Sequence, residues 1–349
     1  MADNINMINM YEPRIMMAAL QQVPRPKRFL HTTFFSETFL HDTEKVDMDI
    51  RKGKRRLAHF VHPLSDAKIV ERDGFDTVTR KPAYIKEKKA LRVSDTRTRA
   101  IGENIFNAST PAQRAMQILG EDLVDLDTRN ARLEEKSAAE VLFTGKLVIR
   151  GEGFNDIIDF GYVDGEHLIT LSGTSLWSNP DADILGDLDK WRMMIMKRCG
   201  ISPNRCIVSH DVGWAIINNP KIQEMLKIDP NYRLGNIAPE YRMDGVSYIG
   251  TLRLPTGTVE LMIYNEWYTD PLTGEDISLV PEGKMLLGST EARCAFHYGL
   301  IQNFKSLGAS SRFPHYWEEP DGSARWVQLE SAPMPNLVQP DAFLVATVL

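Results

Sequence analysis

The 349-residue chain is poor in cysteine: it has three, Cys199, Cys206 and Cys294, an odd number with no close spacing. That count argues against a disulfide framework and a short-spaced zinc knuckle, and the thiols read as reduced and packed. No apolar run approaches the roughly 18 to 20 residues of a bilayer span, and the opening MADNINMINMYEPR lacks the basic-then-apolar layout of a signal peptide. The chain is therefore expected to stay in the cytoplasm where it is made, with no membrane partner. Phosphate loops are missing as well. GEGF and FTGKLV supply glycines and a lysine but neither the Gly-Lys-Ser/Thr ending nor the G-x-G-x-x-G spacing that would cradle a phosphate. Repeats and low-complexity segments are absent.

The apolar share of 43% and charged share of 25% are ordinary and argue for a folded chain of one large domain or two to three subdomains. Net charge is −6, unevenly spread. Residues 45 to 99 hold 16 Lys/Arg and 8 Asp/Glu, a local +8, which leaves −6 − 8 = −14 for the remainder. A basic segment on an acidic body can seek nucleic acid, an anionic membrane, or the acidic surface of another copy of the chain. Its densest part is RKGKRRLAHFV, with Arg51, Lys52, Lys54, Arg55 and Arg56 within six positions. DNA binding is one reading, since each cation on a phosphate adds salt-sensitive affinity. Against it, no aromatic residues interleave with the cations and no helix-turn-helix or zinc module frames them. A charged strand facing solvent or a neighbour is the other reading.

Along the chain, the first 45 residues mix Met-rich pieces with VPRPKRF, where Pro24 and Pro26 forbid a continuous helix and favour an extended path. Such an arm must lie on something else. From Leu57 to about Val93 the pattern suits a projecting hairpin, with ERDGFD as the turn between its two arms. Next comes the strongest helix signal of the sequence. Ser109 or Thr110 can cap, Pro111 suits the first helical position and Gly145 the C-terminal cap. Met116, Leu119, Leu123, Leu126, Leu133, Val141 and Leu142 follow the three-four spacing of one buried stripe. Gly120 could bend or break it. Unbroken, the helix would be a rod of about 50 Å at ~1.5 Å per residue, a spine suited to lie across a sheet.

Later elements are a helix opened by Asn179 and Pro180 and closed by Gly200, its apolar face made of Ile184, Leu188, Trp191 and Ile195. The strand RCIVS leads into a helix from Asp211 to about Ile228. A β-meander follows from Gly245 to Gly288, and the tail reads as two strands divided by QPD. Ser209-His210-Asp211 has the composition of a catalytic triad, but adjacent residues do not converge in space, and Asp211 reads as a helix cap. His59 and His62 lie in an extended stretch without a cluster of further ligands, so no metal site is expected. With no converging catalytic set the chain does not read as an enzyme, and no cofactor is expected.

Several stretches, in order, resemble the lambda-like major capsid proteins of tailed phages, the major capsid protein E family. They are TEKVDMDI, FTGKLVIRGEGF, LSGTSLWSNP, MLLGSTEARCAFHYG, SSRFPHYW and VQLESAPMPNLVQPDAFLVATVL, spanning about Phe29 to Leu349. The resemblance implies an α+β chain with the Hong Kong 97-type capsid fold. Residues 1–45 would be the N-terminal arm, 46–100 the E-loop, and 101–180 a P-domain holding the spine. Residues 181–305 would be an A-domain, and 306–349 strands returning to the P-domain. It implies a shell of hexamers and pentamers around double-stranded DNA, located in the virion and assembled in the host cytoplasm. Partners would be the chain itself, a scaffolding protein, a portal, the packaged DNA without specificity, and a decoration protein at three-fold positions. A scaffolding protein would be separate, since no long helical extension precedes the arm. A cellular nanocompartment shell shares the fold and stays open as an alternative. Within this frame Arg51, Lys52, Lys54, Arg55, Arg56, Lys88 and Lys89 are expected at a subunit interface, facing acidic residues such as Glu121, Asp122 and Asp125 on the spine of an adjacent copy.

Overall fold

The computed structural model describes residues 12–22, 28–51, 57, 58, 60, 63, 66, 69, 75–98, 110–151, 154–228, 240–243, 245–271, 273–306 and 308–349. The first elements are α1 (Pro13–Gln22), α2 (Phe29–Phe34), β1 (Glu37–Leu40), β2 (Val46–Arg51), β3 (Phe75–Arg80), β4 (Ile85–Arg92) and α3 (Val93–Arg97). Then come α4 (Pro111–Thr144), β5 (Lys146–Gly151), β6 (Phe154–Asp159), β7 (Leu168–Thr170), α5 (Ile184–Arg198), β8 (Arg205–Val208), α6 (His210–Asn218) and α7 (Pro220–Ile228). The remainder is β9 (Glu240–Met243), β10 (Val246–Leu254), β11 (Gly257–Tyr264), β12 (Trp267–Thr269), β13 (Asp276–Ser278), β14 (Lys284–Gly288), β15 (Cys294–Tyr298), β16 (Phe313–Glu318), β17 (Ala324–Ser331), β18 (Pro333–Leu337) and β19 (Leu344–Thr347).

The spine α4 is one helix of 34 residues. Thr110 Oγ1 accepts from the Gln113 N–H while the Gln113 side chain accepts from the Thr110 N–H, a reciprocal cap ahead of Pro111. At the other end Gly145 takes φ 68°, the left-handed cap that glycine adopts without steric cost. Gly120 does not break the helix, because it sits on the solvent side with no atom near its would-be Cβ. Leu119, Leu123, Leu126, Val141 and Leu142 are buried as their spacing implies, but Met116 and Leu133 are 42% and 43% exposed. The helical period puts Asn130 and Glu134 on the buried stripe where Leu133 was expected, and both are enclosed.

The largest sheet has seven strands in the order β7-β19-β14-β8-β11-β10-β9. Its faces separate cleanly by alternation. Cys206, Val208, Leu261 and Ile263 point to the layer of α5 and α6, whereas Ile207, Met262 and Tyr264 point to the layer of α2 and the C-terminal turns of α4. The helix opens at Asp183, whose side chain accepts from the Gly186 N–H, and not at Asn179 and Pro180, which lie in the turn before it. The helix expected from Asp211 to Ile228 is two helices, α6 and α7, parted at Asn219 because Pro220 cannot continue the α6 hydrogen-bond ladder.

A smaller sheet, β16-β17-β4, lies over the N-terminal half of the spine. Val327, Leu329 and Tyr316 on one face pack with Leu119, Leu123 and Leu126 of the spine and with Met16 and Leu20 of α1. The arm thus contains two helices laid on the spine, while Pro24 and Pro26 fall outside the described residues. β1 extends the arm as a strand parallel to β15, which pairs on its other side with β18.

A two-stranded ribbon pairs β2 with β3, Val46 opposite Arg80 through Arg51 opposite Phe75, with Val46 and Met48 buried in the core. Its arms are VDMDIR and FDTVTR, so Phe75 and Asp76 of the expected ERDGFD turn belong to a strand, while residues 71–74 and most of 52–70 lie outside the described residues. The tail carries three strands, β17, β18 and β19, one more than its sequence suggests, because Ala332 divides the first two and the turn Pro340–Ala342 divides the last two.

Candidate functional site

The spine brings together several enclosed charges. Glu134 is fully buried and accepts from Arg312 Nη1 at 2.7 Å and from the Tyr298 hydroxyl at 2.9 Å, and it also pairs with Arg28. Arg312 Nε donates to Asp127 at 2.7 Å, about two helical turns earlier. Burial alone would push the Glu134 carboxyl up, but Arg312 and Arg28 hold it below the ordinary carboxylate range. The same attraction raises the Arg312 guanidinium despite its burial.

Glu135, the next residue, turns to the arm. Its oxygens accept from the backbone N–H groups of Leu30 at 2.6 Å and His31 at 3.1 Å, and from the Tyr264 hydroxyl at 3.0 Å. These N–H groups are the unpaired donors at the start of α2, so the carboxylate anchors that helix to the spine. Here burial dominates and raises the carboxyl, in spite of the three donors. Two adjacent acids therefore hold the arm by different means, one through guanidinium pairs and one through a helix start. The available sequence signal was the placement of Asn130 and Glu134 at stripe positions of a strong helix, which reading by leucines alone passes over.

A second set of contacts ties the arm's strand to β15. His41 Nε2 and His297 Nδ1 are 2.8 Å apart with stacked rings, and Phe39 stacks on His297. Glu330, fully buried on β17, accepts from the Asn303 amide at 2.9 Å and from the Tyr84 hydroxyl, which fixes the entry to β4.

The residues expected at a subunit interface divide into three groups. Arg51 ends β2, and Lys52, Lys54, Arg55 and Arg56 lie outside the described residues, as do His59 and His62. Lys88 sits on the sheet face away from the spine, its Nζ 4.3 Å from the Trp326 ring and 5.9 Å from the Trp317 ring. Lys89, the next residue on β4, points the opposite way. Its Nζ lies 3.1 Å from Asp122 and 2.7 Å from Asp125 of its own spine. The expected pairing of Lys89 with an adjacent copy's spine is thus made inside one chain, because the register of β4 on β17 lays it directly over the helix. Lys89 keeps its proton more firmly in consequence, the two aspartates outweighing its burial, and Lys89 holds Asp125 low. Glu121 is exposed and accepts from Gln117 at 2.9 Å.

Ser209, His210 and Asp211 do not converge. Ser209 Oγ donates to the Lys284 carbonyl, His210 Nε2 accepts from Trp214, and Asp211 accepts from the Gly283 N–H at 2.7 Å. Asp211 is not the cap, since the helix starts one residue earlier and Ser209 holds that position. The three cysteines are free, and burial pushes the Cys206 thiol up to about 12. Among the described residues there is no group of three or more His, Cys, Asp or Glu side chains able to hold a metal, and no helix is long and apolar enough to cross a membrane.

The fold recurs in solved phage capsids. A crystal structure of a prophage protein of E. coli CFT073, described as a capsid protein, superposes with a TM-score of 0.72 at 20% identity, covering 97% of this chain and 99% of that one. The mature capsid of bacteriophage PhiM1 gives a TM-score of 0.52 at 10% identity over 93% and 88% of the two chains. The fold is therefore the Hong Kong 97-type capsid fold, with helices and sheets in the α+β manner. In sequence, the chain is 28% identical to the major capsid protein of Escherichia phage lambda, covering 97% of this chain and 98% of that protein. It is also 28% identical to the major capsid protein of Enterobacteria phage phi80, covering 89% and 91%. Residues 12–348 match the model of the phage major capsid protein E family, and the chain belongs to that family.

Proposed function

We propose that this chain is the major shell subunit of a tailed-phage head, assembling through contacts between its own copies into hexamers and pentamers that close an icosahedral shell around double-stranded DNA. The observation that carries the reading is the family match over residues 12–348, which spans arm, ribbon, spine and sheets together. The physical requirement is many modest interfaces, whose contributions sum while single errors stay reversible. Residues 1–45 act as the N-terminal arm, 46–100 as the E-loop, 101–180 as the P-domain, 181–305 as the A-domain and 306–349 as the returning strands. The burial of Glu134 and Glu135 at the arm's root supports this division, since it gives the arm a rigid origin.

Assembly takes place in the host cytoplasm on a scaffolding protein, with one vertex given to a portal and a decoration protein at three-fold positions. The basic run from Arg51 to Arg56 meets acidic surface of a neighbouring copy, and packaged DNA is touched without sequence preference. Negative-stain microscopy of the full chain, expressed with and without its neighbouring gene products, tests the reading. Shells, tubes or capsomers are expected, and a chain that stays monomeric under both conditions would exclude it.

A further inference from the structure

Two exposed patches of opposite charge lie on opposite sides of the seven-stranded sheet. On the side of α5 and α6, the outer stripe of α5 carries Lys190, Met193 and Lys197 at three-four spacing, all exposed. The acids of the same helix are engaged elsewhere. Asp187 accepts from the Trp177 indole at 3.1 Å, and Asp189 accepts from the Thr256 hydroxyl at 2.7 Å. The stripe is therefore a basic strip with a methionine at its centre, 39% exposed.

On the other side of the sheet, β12 and β13 form a short hairpin. Its register sets Trp267 opposite Ser278 and Thr269 opposite Asp276. Tyr268 points inward and packs on the core beside α2 and α4, so Trp267, Thr269 and Asp276 face outward. Trp267 is 56% exposed; Asp276, on the same face, is exposed and accepts from the Thr269 hydroxyl at 2.6 Å, and Glu275 is exposed at the turn end of the hairpin. Residues 265–283 hold Glu266, Asp270, Glu275, Asp276 and Glu282 and neither lysine nor arginine.

A half-exposed tryptophan on an acidic hairpin fits a methionine flanked by lysines, by charge and by the apolar centre each offers. Because the sheet separates them, a hairpin cannot reach α5 of its own chain. We propose that the β12–β13 hairpin of one copy docks on the outer stripe of α5 of the next, Trp267 against Met193, with Glu275 and Asp276 against Lys190 and Lys197. The contact is head to tail and joins two different patches, and successive head-to-tail contacts close into a ring when the rotation between copies permits. This rests on the shell reading above and assigns the side-by-side contact of the ring to these two elements.

Charge exchange tests it on the full chain, co-expressed with its neighbouring gene products. E275K/D276K and K190E/K197E are each expected to leave the subunit folded by circular dichroism and to lower assembled rings and shells about ten-fold. The variant carrying all four changes should recover assembly, since the charges are reversed on both sides. Single-side reversals that assemble like the wild type, or a combined variant no better than either half, would overturn the contact while leaving the shell reading intact. A wild type that never assembles would overturn both. As a second measurement, M193C combined with W267C should give, on oxidation, a ladder of linked copies ending at a closed ring. Cross-linked dimers from W267C alone would mark a two-fold contact and count against the proposal.

Discussion

Glu134 and Arg312 meet at 2.7 Å, 178 residues apart in sequence, inside a site where the glutamate has no exposed surface. The pair links the middle of the spine to the segment that enters β16, and Arg28 adds the arm to the same carboxylate. Removing one partner of such a pair leaves a buried charge without compensation. Glu134→Ala is therefore expected to destabilise the subunit by about 3 to 5 kcal/mol. Urea denaturation of the unassembled chain measures this. A loss under ~1 kcal/mol would mean that Arg312 and Arg28 find other partners at no cost.

The two adjacent acids give opposite pH dependences. Glu134 is held below its ordinary value of 4.5, so its contribution is present above pH 4.5 and is lost as pH falls through the folded value. Glu135 is raised above 4.5 by burial, so its ionisation works against the fold, and stability declines as pH rises through its raised value. Glu135→Gln removes the second dependence. It also turns an amide toward the Leu30 or His31 N–H, costing about 1 to 3 kcal/mol for the donor left unpaired. Urea midpoints measured on both proteins at several pH values above 4.5 should fall with pH for the wild type more steeply than for the variant. Parallel curves would show that Glu135 does not titrate there.

The ends of the spine were legible because their signals are local: Thr110, Pro111 and Gly145 each act within a turn of their own position. The same holds for Ile184, Leu188, Trp191 and Ile195, a face written in one stretch of sequence. Strand pairing was not legible in the ribbon, since either VDMDIR or LAHFV could oppose DTVTR by alternation alone and only the whole fold selects the first. Lys89 failed to be placed for the same reason. Whether a lysine on a charged strand faces its own helix or another copy depends on the register of β4 with a strand more than two hundred residues later. The resemblance supplied the fold's order; the stripe position of Glu134 was legible, but its partners Arg312 and Arg28, and those of Glu135, lie about a hundred or more residues away and needed the whole fold.

Two glycines of the spine predict opposite outcomes for one substitution. At Gly145, φ is 68° and an added Cβ would lie 2.3 Å from the Tyr162 ring. Gly145→Ala should cost about 2 to 4 kcal/mol from backbone strain and overpacking together. At Gly120 a Cβ meets nothing within 4 Å in a continuous helix. Gly120→Ala should instead stabilise by about 0.5 to 1 kcal/mol. Thermal unfolding of the two variants gives the comparison, and a Gly145→Ala protein as stable as the wild type would contradict the left-handed cap.

Lys89 and the basic run separate a contact within the subunit from one between subunits. Lys89→Ala removes a partly exposed bridge to Asp122 and Asp125, so it should lower subunit stability by only about 0.5 to 1 kcal/mol. Assembly should follow that small loss and no more. Arg55 and Arg56 belong to the +8 segment of an otherwise acidic chain. Reversing both to Glu should leave the unfolding curve of the subunit unchanged yet block shell formation, because like charges would then face the acidic surface of the neighbour. Sedimentation velocity on the expressed particles, beside urea denaturation of the free subunit, distinguishes the two effects. A normal yield of shells from the doubly reversed chain would rule out the basic run as a contact between copies.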